Sequence, residues 1–320
     1  MPSGPFSPTR RELLLGLAGA ALAYSKVRNS MYNPQLAAHT SIWRVEAELR
    51  QIPDADILEE AFVGTHRAGY GRVELISEFL SPELRAQTLR LLGKNNLEPS
   101  ILFTGGSLHE REAGEASRKQ VMDLAWLMMG RGTQLVNFSP SSKANGQPKT
   151  NEELDTEAYQ LNRMGEELQR EGIALMLHHH EAEMRDGARE WRYMLAHTET
   201  SLVSFCLDVD WVTRAGIRPV SLIDTAGPRL RSLHLRNPKN GMDQELLGDG
   251  DINMPEIARL LRQMSYDGFL VVELLHDKDT PRQHSLATDL SVSRFYMQEV
   301  FGARPGSRPV EMGPYVRQKT

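Results

Sequence analysis

Residues 201–210 read SLVSFCLDVD, with Trp211 directly after them. Five of the first seven residues are apolar, with no helical spacing, so the run reads as a buried strand. It reaches Asp208, a carboxylate at the point where an apolar strand gives way to a turn. In a parallel α/β protein the C-terminal tips of the strands are where chemistry is placed. The same pattern recurs in GIALMLHHH (172–180), which ends in His178, His179 and His180, in LRSLHL (230–235), which carries His234, and in GFLVVEL (268–274), which carries Glu273. Apolar strands that each deliver a carboxylate or an imidazole at the end form a metal-site constellation.

Working outward, apolar runs alternate with helix-period segments over about 265 residues, 37–301, the length of a (β/α)8 barrel. The expected strands are AHTSIW (38–43), GRVELI (71–76), EPSILFTGG (98–106) and GTQLVNFSP (132–140), followed by those ending near His178, Asp208, His234 and Glu273. Helices are expected over 54–68, after a Ser81-Pro82-Glu83 cap, and over 113–130, 151–171 and 281–300, with a polar loop over 141–150. An open doubly wound sheet is the competing architecture, but no G-x-G-x-x-G follows any strand. The expectation is therefore a single-domain α/β TIM barrel, with residues 302–320, rich in Pro, Gly and Arg, as a C-terminal surface extension.

The whole chain sets bounds on function. It has 320 residues, 40% hydrophobic and 25% charged, with a net charge of −5, and so ample apolar material for a core. Its acidic balance gives no global attraction for nucleic acid. The one cysteine, Cys206, excludes an internal disulfide and any multi-cysteine metal site, and its place in a strand reads as an inert buried thiol. At the N-terminus, Arg10-Arg11 stands before the apolar run Leu13 to Ala23, which is too short to span a bilayer. Ala21-Leu22-Ala23 then offers a small-x-small cleavage site. Residues 1–25 are accordingly expected to be a bacterial twin-arginine export signal, directing a protein without a stable membrane anchor to the periplasm.

Alternation along the fifth strand puts His178 and His180 on one face and His179 on the other. Solvated loop histidines, an N-cap role for Asp208 and a core role for His234 are the ordinary alternatives. Glu273, preceded by Val271 and Val272, needs a cation or a hydrogen-bond network if it is ionised. Carboxylate oxygens with imidazole nitrogens and no thiolate suit Mn²⁺, Mg²⁺, Co²⁺ or Zn²⁺.

In this respect the chain resembles the xylose isomerase-like TIM barrels, or sugar phosphate isomerase/epimerase family. The resemblance rests on GYGRVEL (69–75), HHHEAEM (178–184), LDVDW (207–211), HLRN (234–237), LGDGDINMPEI (247–257) and YDGFLVVEL (266–274), in that order. It implies a divalent metal held by Asp208, His234 and Glu273, with His178 where the ketose 3-epimerases have a first glutamate. In those epimerases the two glutamates also exchange protons on opposite faces of the substrate, so His178 disturbs that symmetry. A His-rich fifth strand looks more like the inosose dehydratase branch and the "HNH" group of sugar isomerase-like proteins. Trp211 stands where epimerases often have His, and Asn237 where many have Asp.

The expected catalytic residues are Glu273, Glu183 and His180, and the expected substrate contacts are Glu74, His109, Trp211 and Arg236. The substrate expected is a small carbohydrate, and a homo-oligomer is compatible with the chain. Isomerisation or epimerisation next to a carbonyl comes first. Elimination from a keto-sugar or 3-keto-glycoside is the alternative, and a non-catalytic sugar-binding barrel is the third.

Overall fold

In a strand, successive side chains point to opposite faces, and closing a sheet on itself turns those faces into an inside and an outside. A computed structural model describes residues 32–305; the N-terminal signal expected over 1–25 and most of the C-terminal extension lie outside them. Eight parallel strands close in sequence order: β1 (Gln35–His39), β2 (Arg72–Ile76), β3 (Glu98–Gly106), β4 (Leu135–Pro140), β5 (Ala174–Leu177), β6 (Val203–Asp208), β7 (Leu230–Leu235) and β8 (Phe269–Val272). β8 returns to β1, with Val271 opposite Ala37, and completes the barrel.

Ten α-helices among the described residues surround it: α1 (Ser41–Leu49), α2 (Asp54–Arg67), α3 (Arg85–Lys94), α4 (Arg111–Met128), α5 (Asn151–Arg170), α6 (Glu181–His197), α7 (Val209–Arg214), α8 (Pro219–Ala226), α9 (Met254–Gln263) and α10 (Leu286–Phe301). No described helix is long and apolar enough to cross a membrane.

The apolar residues divide accordingly. Ala37, Ile101, Leu135, Met176, Cys206, Phe269 and Val271 form a small cluster of alternate strand residues, the floor of the barrel interior. The larger cluster, with Leu207, Leu233, Leu270 and Val272 from the same strands, packs against the helices. Cys206 is buried and unpaired, as its strand position implied.

Four expectations are corrected. The AHTSIW segment is not one strand: β1 stops at His39, where Thr40 Oγ1 donates to Glu74 O (3.1 Å) and accepts from Ile76 N (3.0 Å). Ile42, Trp43, Glu46 and Ala47 then bury one helical face of α1, and Trp43 Nε1 donates to Thr65. Ser81-Pro82-Glu83 is a turn rather than a cap, because Ser81 O accepts from Leu84 N and Arg85 N and α3 begins at Arg85. The last helix begins at Leu286 rather than Pro281, capped by Ser285. The segment after Gly302 is not only surface extension, since β9 (Arg304–Pro305) pairs in parallel with the start of β1.

The packing sets a specific test. A Cβ on Gly165 of α5 would lie 2.7 Å from the backbone oxygen of Leu202, which no rotamer change can move. Alanine gains about 1 kcal/mol over glycine in a helix interior, but overpacking against fixed atoms costs about 1–3 kcal/mol. Gly165→Ala is therefore expected to lower the urea midpoint with an unchanged m-value. A higher midpoint would show that α5 can retreat from Leu202.

Candidate metal centre

One step of two residues above the apolar floor, each strand changes chemistry. Ala37 is followed by His39, Leu135 by Asn137, Met176 by His178, Cys206 by Asp208, Ser232 by His234 and Val271 by Glu273. Glu74 joins this layer from β2 opposite His39, and Phe103 from β3 opposite Asn137. Seven of these eight residues are polar, and six of the seven are buried; Glu273 is the partly open one.

Four of them converge. His178, Asp208, His234 and Glu273 each offer one ligand atom, all within 4.8 Å of one another. His178 Nε2 faces His234 Nδ1 at 3.2 Å, and the same Nδ1 lies 3.1 Å from Glu273 Oε2. Arg236 Nη1 bridges the two carboxylates, donating to Asp208 Oδ2 (2.9 Å) and Glu273 Oε2 (2.7 Å).

The electrostatics follow from this crowding. Burial and the neighbouring imidazoles, His234 first, hold His178 well below its ordinary range, so the ring is neutral. Burial alone would lower His234, but Cys206, Glu74 and Glu273 outweigh it and hold the ring well above its ordinary range. Burial would raise Glu273, yet His234 and Arg236 hold its carboxyl well below the usual range. Asp208 is pushed up to about 7 by burial, which Arg236 only partly offsets.

These residues fit a divalent ion. Two ring nitrogens face each other at 3.2 Å, and the Asp208 and Glu273 carboxylates converge beside them with one guanidinium between the two. Imidazole with carboxylate and no thiolate is the donor chemistry of Mn²⁺, Co²⁺ or Zn²⁺.

The groups behind the cluster hold it in register. His234 Nε2 lies 2.8 Å from Glu74 Oε2, and Asn137 Nδ2 donates to Glu74 Oε1 at 2.7 Å. A carboxylate behind a ligand imidazole fixes its tautomer and orientation. Asp208 Oδ1 accepts from the backbone N–H groups of Asp210 (2.9 Å) and Trp211 (3.2 Å), and Asp208 N donates to His179 Nε2 (3.0 Å). The histidine that alternation sends outward therefore still braces the site from the other face of the sheet.

The expected residues do not all meet. Arg236 is in the cluster, and its guanidinium lies 5.1 Å from the Trp211 ring, which is half-buried at the mouth. His180 is exposed, with Nδ1 3.1 Å from Ser139 Oγ and its ring edge toward Trp211. Glu74 is fully buried behind His234 rather than open to a substrate. Glu183 is buried away from the mouth: its Oε2 accepts from His180 N (2.8 Å), and Lys149 lies 4.0 Å from its Oε1. His109 is buried in the loop after β3, beside Ser107, outside the four-residue cluster. The sequence reading passed over Asn137, Asp210 and Lys149. Asn137 alone had a signal, a polar residue inside the apolar run LVNFSP; Lys149 gave none, although its Nζ is buried among Glu157 (2.8 Å), Glu190 (3.5 Å) and Glu183.

Imidazoles and carboxylates gathered at the C-terminal mouth of a parallel eight-stranded barrel are the arrangement of TIM-barrel enzymes that work through strand-end ligands. Residues 63–295 match the xylose isomerase-like TIM barrel family, and the chain belongs to it. Among curated proteins, an inosose dehydratase of Mesomycoplasma hyopneumoniae is 28% identical over 250 residues, 68% of this chain and 81% of that protein. The rhizopine catabolism protein MocC of Rhizobium meliloti is 24% identical over 81% of this chain and 86% of its own length. A D-allulose 3-epimerase from Methylomonas sp. superposes with a TM-score of 0.68 at 16% identity, covering 84% of this chain and 98% of that one. A sugar phosphate isomerase/epimerase from Parabacteroides distasonis gives 0.65 at 17% identity, covering 85% and 96%. The two structural likenesses show the shared fold.

If Glu74 holds the His234 tautomer, Glu74→Gln should weaken divalent-ion affinity by about 10–100-fold. Competition with a fluorescent chelator on the folded variant measures this. Affinity equal to that of the parent chain would remove Glu74 from the metal account.

Proposed function

We propose that this protein is a divalent-metal-dependent lyase that removes water, or another β-leaving group, from a cyclic polyhydroxy ketone or keto-sugar. The observation that carries the reading is the place of His178. Where a symmetric epimerase needs a second proton-transferring carboxylate, this chain has a buried imidazole turned toward His234. Glu273 Oε2 is already shared between His234 and Arg236, which makes it a poor proton acceptor. His180 is then the one exposed imidazole of the triplet able to take up a proton and return it.

His178, Asp208, His234 and Glu273 would hold a divalent ion, which when bound would supply Lewis-acid polarisation of the substrate carbonyl and so acidify the adjacent C–H. His180 takes that α-proton, and its partner Ser139 orients the ring. The electron pair left on the α-carbon forms a C=C bond as the β-hydroxyl departs. His180 gives its proton to the departing oxygen, which leaves as water. Arg236 Nη2, buried without a protein partner, offers a donor to a substrate oxygen. Trp211, whose ring centroid lies 5.1 Å from the Arg236 guanidinium and 5.6 Å from that of Arg214, offers aromatic surface to an apolar side of the ring.

Isomerisation across two carbons also needs only one acid–base group. The curated relatives favour elimination, because those at 28–29% identity are inosose dehydratases. The loops after β7 and β8 carry Asp243, Glu245, Asp249, Asp251, Asp277 and Asp279 against Arg236, Lys239, Lys278 and Arg282, a net acidic balance better suited to a neutral sugar than to a sugar phosphate.

The test is product analysis by NMR. The metal-loaded protein is incubated in D₂O with an inosose, a 3-keto-glycoside and a ketohexose. Formation of an unsaturated ketone, with release of water or aglycone, is expected from one of the first two. His180→Asn should lower kcat by about 10²–10⁴-fold while leaving metal content unchanged. Deuterium at an inverted α-carbon with no unsaturated product would make the protein an epimerase and overturn the reading.

A further inference from the structure

A second cluster lies apart from the barrel centre. Glu245 is in the loop after β7, His284 in the loop after β8, and Asp289 in the early part of α10; one ligand atom from each lies within 4.8 Å of the others. We infer that these three residues form a second divalent-cation site, of the zinc or manganese type, which ties both loops to the start of α10. It shares no residue with the central cluster and does not rest on the reaction proposed above.

The spacing suits an ion. Glu245 Oε2 and His284 Nδ1 are 3.2 Å apart, and His284 Nδ1 and Asp289 Oδ1 are 3.7 Å apart. Ligands at about 2.1 Å from a tetrahedral ion are separated by about 3.4 Å. Two carboxylates and one imidazole leave further positions for water.

Asp289 is what points to a ligand. It is fully buried, and neither carboxylate oxygen has a hydrogen-bond partner. An ionised carboxylate in that state carries a large desolvation cost. Burial first, and then Glu245, push its carboxyl up to about 7. Protonation would remove the charge but leave the buried carboxyl without a hydrogen-bond partner among the described residues. The positive end of α10 favours negative charge near Asp289 but gives it no partner. A cation between Asp289, Glu245 and His284 supplies one.

The other members are set for that role. Glu245 Oε1 accepts from the backbone N–H groups of Gln283 (2.5 Å) and His284 (2.6 Å), which leaves Oε2 directed at the cluster. His276 Nε2 contacts Glu245 O at 2.7 Å and fixes its backbone. Arg282, the nearby permanent cation, is engaged by Glu46 at 2.7 Å. The His284 side chain is 45% exposed, so an ion can enter from solvent while Asp289 forms the closed end.

The test counts ions on the intact protein. The full chain is stripped with a chelator, reloaded with Zn²⁺, desalted and measured by elemental mass spectrometry beside His284→Ala and Asp289→Asn. His284 is exposed, so its replacement is expected to leave the circular dichroism unchanged. Each variant is expected to hold one Zn²⁺ per chain fewer than the parent. Equal zinc content in the parent and in folded His284→Ala would overturn the site, whatever Asp289→Asn does.

Discussion

The contact between His234 Nε2 and Glu74 Oε2, 2.8 Å long, holds the centre of this molecule together. With Nε2 committed to a carboxylate, Nδ1 is the nitrogen left to face His178 and Glu273. The partners lie 160 residues apart, on β7 and β2, and meet only when the barrel has closed. The geometry of the candidate metal cluster is thus a product of closure. A chain with any strand out of register by one residue would turn its imidazole or carboxylate to the helix side.

A buried polar layer is costly to build, and it persists here because nearly every member is bonded to another. Asn137 bridges toward Glu74 and His234, Arg236 joins Asp208, Asp210 and Glu273, and His179 receives the backbone N–H of Asp208. The exceptions are informative. His178 Nδ1, His39 Nε2, Asn137 Oδ1 and Arg236 Nη2 are buried without partners, and all four belong to the layer or to the cation that spans it. Unsatisfied groups within such a layer are the ones that a bound ligand would complete. The network beneath His180 is of another kind: Lys149 among Glu157, Glu183 and Glu190 fastens the loop after β4 to α5 and α6.

Much of this was legible in the chain, for a reason that applies strand by strand. An apolar run that ends in Asp, His or Glu states both that it is a strand and which end carries chemistry, so Asp208, His234, Glu273 and His178 could be selected in advance. Alternation also separated His179 from its neighbours correctly. What was not legible were the directions of long side chains. Glu183 follows the histidine triplet closely enough to look catalytic, yet the helical turn swings it back onto His180 N and Lys149. Glu74 looked like a substrate contact, because nothing in GRVELI reveals that a histidine from β7 will occupy its carboxylate. AHTSIW misled for a local reason, since Thr40 ends the strand by bonding to Glu74 and Ile76 where periodicity alone would let it continue.

The central claim, that the mouth of the barrel is a four-ligand metal centre, is tested most directly by anomalous diffraction from crystals of the protein soaked in Mn²⁺. The account predicts a peak enclosed by His178 Nε2, Asp208, His234 Nδ1 and Glu273, with Arg236 released from at least one of the two carboxylates it now bridges. A map with no peak at that point, and with Arg236 still joining Asp208 to Glu273 at saturating Mn²⁺, would contradict it.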